Sequence, residues 1–137
     1  MEDKKVQPII IDTNFWLLPF EMRVDLIEGL ERLMEYSPIC MLVPSSVHDE
    51  LKMMAGEKTK MKNKRAAKAA LDMIEKFVKE GKAEIVEAKG VPDEEIVFLA
   101  MKKKAWVATN DMELREKLKK RKIRTIILKD RHNIAFA

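Results

Sequence analysis

Apolar positions along the chain follow two periods, short β-type runs and longer stretches with an apolar residue every three or four positions. Val6 to Ile11 carries four β-branched residues and stops at Asp12-Thr13-Asn14, which predicts a buried strand followed by a polar turn. Phe20 to Tyr36 sets Val24, Ile27, Leu30 and Met34 at helical spacing and is closed by Pro38, which predicts a helix. Ile39 to Val43 is a second predicted strand. Ser45 or Ser46 is a natural N-cap for a short helix with Val47, Leu51 and Met54 on one side. Gly56 and the basic stretch through Arg65 read as a break, after which Ala66 to Lys79 is helical and Gly81 closes it. Ala83 to Glu87, Ala105 to Thr109 and Thr125 to Leu128 are three further predicted strands. Asp93 is placed to cap a helix through Ala100, and Asn110-Asp111 precede a helix from Met112 to Arg121. The tail to Ala137 reads as irregular.

Strands separated by helices predict an α/β domain with a mainly parallel five-stranded sheet, right-handed crossovers and helices on both faces. The chain has 137 residues, a size for one domain, and no repeat or linker interrupts it. Hydrophobic residues at 47% and charged residues at 36% give enough apolar material for a core and exclude a disordered chain. The apolar runs are too short to span a membrane, and no signal segment is visible, so a cytoplasmic protein is expected. Cys40, the lone cysteine, reads as a small core residue. Phe15, Trp16 and Phe20 are placed either for a homodimer contact or for the domain's own core.

The net charge of +4 points toward a polyanionic partner through its distribution. Lys58, Lys60, Lys62, Lys64 and Arg65 form one acid-free basic cluster, and Lys117, Lys119, Lys120, Arg121, Lys122 and Arg124 form another. Either can meet phosphates, or be a solvated face.

In a parallel sheet, ligands gather at the carboxyl ends of the strands where the chain order switches direction. Asp12 closes the first strand and Asp111 follows the fourth; if those strands are neighbours, the two carboxylates share a pocket. Glu50 in the second predicted helix, and Asp93 or Glu94 at a helix start, belong to the same edge. Each acid also has a local explanation as a cap, a turn former or a complement to a helix dipole. His48, beside Glu50, reads as a surface or packing residue. Several carboxylates facing one another resist ionisation unless a cation neutralises them, and oxygen-only ligands suit Mg or Mn. No Walker-type loop, GxGxxG or Ser-His pairing offers a rival chemistry.

Ile-Ile-Ile-Asp-Thr-Asn at the first strand, Val-Pro-Ser-Ser-Val-His-Asp-Glu-Leu around Glu50, Pro-Asp-Glu-Glu-Ile-Val at Asp93 and Val-Ala-Thr-Asn-Asp-Met-Glu-Leu after the fourth strand resemble, in order, the motifs of the PIN domain nuclease family. The resemblance spans Ile9 to Leu128. It implies a three-layer α/β/α, Rossmann-like fold and Mg- or Mn-dependent hydrolysis of RNA. It places Asp12, Glu50, Asp93 and Asp111 at acidic metal-binding positions, with Glu94 competing with Asp93, and Asn14 and Thr109 as supporting polar residues. Lys58 to Arg65 would contact the RNA backbone. Within the family the chain resembles archaeal relatives of ribosomal-RNA-processing PIN proteins, with the toxins of toxin and antitoxin pairs as the competing subgroup. A pre-ribosomal or other RNA-presenting protein is an expected partner, and an RNA-binding scaffold without catalysis is the reading from another class.

Overall fold

The computed structural model describes residues 6–56 and 61–137. Lys58 and Lys60, assigned above to RNA backbone contact, lie outside the described residues, as does the side chain of Lys62.

Six strands form one sheet in the order β3-β2-β1-β4-β5-β6. They are β1 (Gln7–Ile11), β2 (Ile39–Pro44), β3 (Ala83–Val86), β4 (Trp106–Ala108), β5 (Thr125–Lys129) and β6 (Asn133–Phe136). The first five run parallel, and β6 pairs antiparallel with β5. The expectation of five strands and an irregular tail is therefore corrected. Consecutive left-handed residues Asp130 and Arg131 reverse the chain there, a turn no glycine announces.

Alternation along β1 divides the core. Ile9 and Ile11 join Phe15, Trp16, Met41 and Val43 under α1 (Thr13–Glu21), α2 (Leu26–Leu33), α3 (Ser45–Gly56) and α4 (Met61–Lys79). Ile10 joins Leu42, Val107, Ile96, Leu99, Leu114 and Leu118 under α5 (Pro92–Lys103) and α6 (Met112–Lys120). This is the three-layer α/β/α arrangement. Phe15 and Trp16 are fully buried, so of the positions offered for a dimer contact only Phe20 is exposed. Cys40 is half-buried at the edge of the second cluster, and among the described residues no helix is long and apolar enough to cross a membrane.

Five local expectations change. Asp12 caps α1 directly, accepting from the Thr13 amide at 2.8 Å, so a helix stands where a polar turn was predicted. The predicted helix over Phe20 to Tyr36 is two helices. Pro19 withholds an amide near the end of α1, Arg23 is left-handed, and Asp25 starts α2 by accepting from the Glu28 amide at 3.0 Å. Part of the break after Gly56 is already helix, since α4 begins at Met61 and the run Lys62 to Arg65 holds no breaker. Pro92 takes the first position of α5 with Val91 as its cap, so Asp93 sits in the first turn instead of capping. Ser45 also does not cap: its hydroxyl accepts from the Ala88 amide at 2.9 Å and faces the Ala88 carbonyl at 3.1 Å, tying the start of α3 to the chain after β3.

The sixth strand is locked onto α2 at Gly29. A Cβ there would stand 2.8 Å from Ile134 Cδ1 and 2.9 Å from Ile134 Cβ, and Ile134 is buried. Arg32 Nη2 adds a bond to the Ile134 carbonyl at 3.2 Å. Alanine would improve helix propensity by roughly 1 kcal/mol, but overpacking costs about 1–3 kcal/mol. Gly29→Ala is therefore expected to lower the melting temperature by about 2–5 °C in thermal unfolding. An unchanged or higher value would show that β6 yields freely and is not held by this contact.

Candidate active site

The site is built at the carboxyl ends of β1 and β4, neighbours at the centre of the sheet. From β1 the chain steps outward through β2 and β3, then returns to the other side as β4, so a crevice opens between them. The Asp12 amide continues the ladder by donating to the Ala108 carbonyl at 3.0 Å, which fixes the register of the two strand ends.

One hydroxyl joins the two acids. Thr109, fully buried, accepts the Asp111 amide at 3.1 Å and donates to Asp12 Oδ2 at 2.7 Å. Asp12 Oδ1 is occupied by the Thr13 amide, and Asn14 Nδ2 approaches Oδ2 at 3.4 Å. Asn14 Oδ1 accepts in turn from the Asn110 amide at 3.4 Å, bridging the two strand ends. Asp111 caps α6, its Oδ1 accepting from the Glu113 and Leu114 amides at 2.9 and 3.2 Å. Among the described residues its Oδ2 has no hydrogen-bond partner. Both acids therefore spend one oxygen on a helix start, where the partial positive charge of the helix favours an anion.

Glu50 reaches the same place from α3. It is exposed, and Thr13, nearly buried, donates its hydroxyl to Glu50 Oε2 at 3.0 Å. Asp93, on the first turn of α5, lies 3.8 Å from Lys117 Nζ of α6. Glu94 is exposed and lines the groove between α5 and α6. The acids share one field. Burial pushes the Asp12 carboxyl above its ordinary value of 3.8, Glu50 and Asp111 add to the rise, and the bonds from Thr109 and Thr13 oppose it. Burial also raises Asp93, with Asp111 and Glu113 adding and Lys117 opposing. Asp12, Glu50, Asp93 and Asp111 are thus brought to one edge, with Asn14 and Thr109 between them.

Three contributors escaped the sequence reading. Thr13 orients Glu50, Asn110 Oδ1 accepts the Leu128 amide at 2.9 Å and pins the loop to β5, and Lys117 pairs with Asp93. Thr13 and Asn110 stand inside the quoted motifs, so the motifs marked their neighbourhood; the pairing of Lys117 with Asp93 has no local signal. His48 is half-buried and held toward its neutral form by burial and by Lys52, and among the described residues it bonds none of the acids.

A family model described as a PIN-like domain matches residues 9–131. The chain belongs to the PIN domain nuclease family. Ribonuclease VapC9 of Archaeoglobus fulgidus is 31% identical to this PIN domain over 132 residues, spanning 93% of this chain and 87% of the relative. The solved structure of the PIN domain endonuclease Utp24 matches with a TM-score of 0.72 at 25% identity, covering 94% of this chain and 90% of that one. A chain of VapBC2 from Rickettsia felis, solved bound to a DNA fragment from its promoter, matches at TM-score 0.60 and 19% identity over 90% of this chain and all of that one, a likeness of fold.

The donors of this PIN domain are carboxylate oxygens, which suit a hard divalent cation, and the Asp12 and Asp93 carboxyls are raised first by burial, with neighbouring acids adding to the rise. Among the described residues no three Asp, Glu, His or Cys side chains are gathered closely enough to hold an ion as they stand. The donor chemistry fits such an ion.

The raised Asp12 carboxyl carries a consequence for stability. Above pH 3.8 the native state holds this proton more tightly than the unfolded chain, so native stability falls as the pH rises through that window and the loss is complete once the folded group has ionised. In chelator at neutral pH, Asp12→Asn is expected to melt above the unmodified chain. The difference should shrink as the pH is lowered toward 3.8. A variant that melts lower at neutral pH would show that the bonds from Thr109 and Thr13 outweigh burial.

Proposed function

We propose that this protein is a divalent-metal-dependent endoribonuclease that hydrolyses RNA phosphodiester bonds and acts in ribosomal RNA processing. The observation that carries the chemistry is the Thr109 bridge, which holds Asp12 and Asp111 side by side at the sheet's switch point with Glu50 and Asp93 in the same field. Asp12, Asp111 and Glu50 would hold a Mg or Mn ion, with Asp93 at the rim. Such an ion, when bound, polarises water and stabilises the charge that develops on a phosphate during in-line displacement. The chain's own contribution is positional. Thr109 fixes one oxygen of Asp12, Thr13 aims Glu50, and Asn14 spans the two strand ends. Lys64 and Arg65, at the start of α4, remain candidates for backbone phosphates.

The likeness to the PIN domain endonuclease Utp24 supports internal cutting of a nucleic-acid chain, and the processing role rests on the resemblance of the motifs. The identity to ribonuclease VapC9 supports a second reading, a toxin ribonuclease restrained by an antitoxin. Expression separates them: growth arrest relieved by a small neighbouring protein supports the toxin, and selective cutting of precursor ribosomal RNA supports processing.

Incubation with single-stranded and structured RNAs, with Mn, Mg or chelator, tests the chemistry. Cleavage is expected only with metal, and Asp12→Asn should lose about a hundredfold or more in rate while staying folded. Undiminished cutting in chelator or by the folded variant sinks the proposal. Binding without cleavage under any metal would identify a scaffold.

A further inference from the structure

Helices α5 and α6 each cover the sheet with an inner stripe, and their outer stripes leave a groove beside the carboxylates. On α5 the residues Glu94, Val97, Phe98 and Met101 stand at helical spacing, and on α6 Lys117, Lys120 and Arg121 face them across a space of about 570 Å³. Phe98 is 62% exposed and Met101 52%, an unusual exposure for large apolar side chains placed side by side. The groove is continuous with the site, because its Lys117 is the residue that pairs with Asp93.

Building on the nuclease reading, we propose that this groove binds the single-stranded RNA segment flanking the scissile phosphate, with a base stacked on Phe98 and backbone phosphates on Lys120 and Arg121. Three cations against one acid on the rim favour a polyanion. An exposed aromatic ring beside cations is what sequence-tolerant binding of single strands uses, since every base has a face to stack. A second copy of the chain fits less well, because a twofold contact on this surface would set the same cations against one another. Arg124, between α6 and β5, is differently used: it lies 4.9 Å from the Trp106 ring and 3.7 Å from the Phe136 ring and does not line the groove.

The test is equilibrium binding of a fluorescent single-stranded oligouridylate in chelator, so that affinity is read without cleavage. Phe98→Ala is expected to weaken binding about tenfold. Lys120→Ala with Arg121→Ala should lower the dependence of log affinity on log salt by roughly 1–2. All side chains changed are exposed, and an unchanged melting temperature confirms folding. With metal, both variants should raise KM for RNA at unchanged kcat. Unaltered affinity and salt slope in folded variants overturn the proposal, and a shift of Phe98→Ala in oligomeric state alone would make the groove an interface between copies. Because affinity is measured in chelator, a protein that binds here and cuts nothing fails the nuclease reading and not this one.

Discussion

The parallel pairing of β1 with β4 is the constraint on which the rest depends. Ile9, Ile10 and Ile11 stand opposite Trp106, Val107 and Ala108, and the ladder ends with the Asp12 amide on the Ala108 carbonyl. A slip of one residue would turn Ile10 and Val107 out of one core cluster and separate Asp12 from Thr109. Burial on both faces therefore fixes the register, and the register delivers the carboxylates. Because Thr109 accepts the Asp111 amide, its single proton is directed to Asp12, and the acids are linked without mobile parts.

Gathering acids is unfavourable, and the fold offsets it in two ways. Asp12 and Asp111 each cap a helix, so each meets backbone amides at the positive end of a helix dipole. Glu50 stays exposed, where water screens it, and Asp93 has Lys117. The Asp12 and Asp93 carboxyls are still raised, chiefly by burial and to a smaller degree by their acidic neighbours. A cluster needed only for folding would be served as well by asparagine at the capping positions, which also accepts from helix amides. The retained carboxylates are what the proposed cation would use.

Most of the fold was legible because the strands are buried and the helices amphipathic, so Ile9 to Ile11, Ile39 to Val43 and the α4 stripe declared themselves. The four acids were legible as a set through the order of the motifs, although each alone passes for a cap. What stayed hidden depends on contacts distant in sequence or on uncommon backbone. The hairpin to β6 turns on left-handed Asp130 and Arg131, and its anchor joins Gly29 to Ile134. The break between α1 and α2 rests on left-handed Arg23, a conformation that arginine does not advertise. Asp93 and Glu94, equivalent by helical spacing, were separated only by where α6 packs, which gives the first a place by the acids and the second a wall of the groove.

That separation divides the labour of α5 and α6. Their inner residues, Ile96, Leu99, Ala100, Leu114 and Leu118, are buried in the core that holds β1 and β4, so changes there would disturb the carboxylates through packing. Their outer residues, Phe98, Met101, Lys120 and Arg121, are exposed and can change with little cost to stability. Asp93 sits where the two surfaces meet, its carboxyl in the field of Asp111 and its ion pair on the rim of the groove. A strand lying along the outer stripe would compete with Asp93 for Lys117. Release of that lysine would leave Asp93 without its cationic partner, so Lys117 is the side chain through which occupation of the groove would reach the carboxylates.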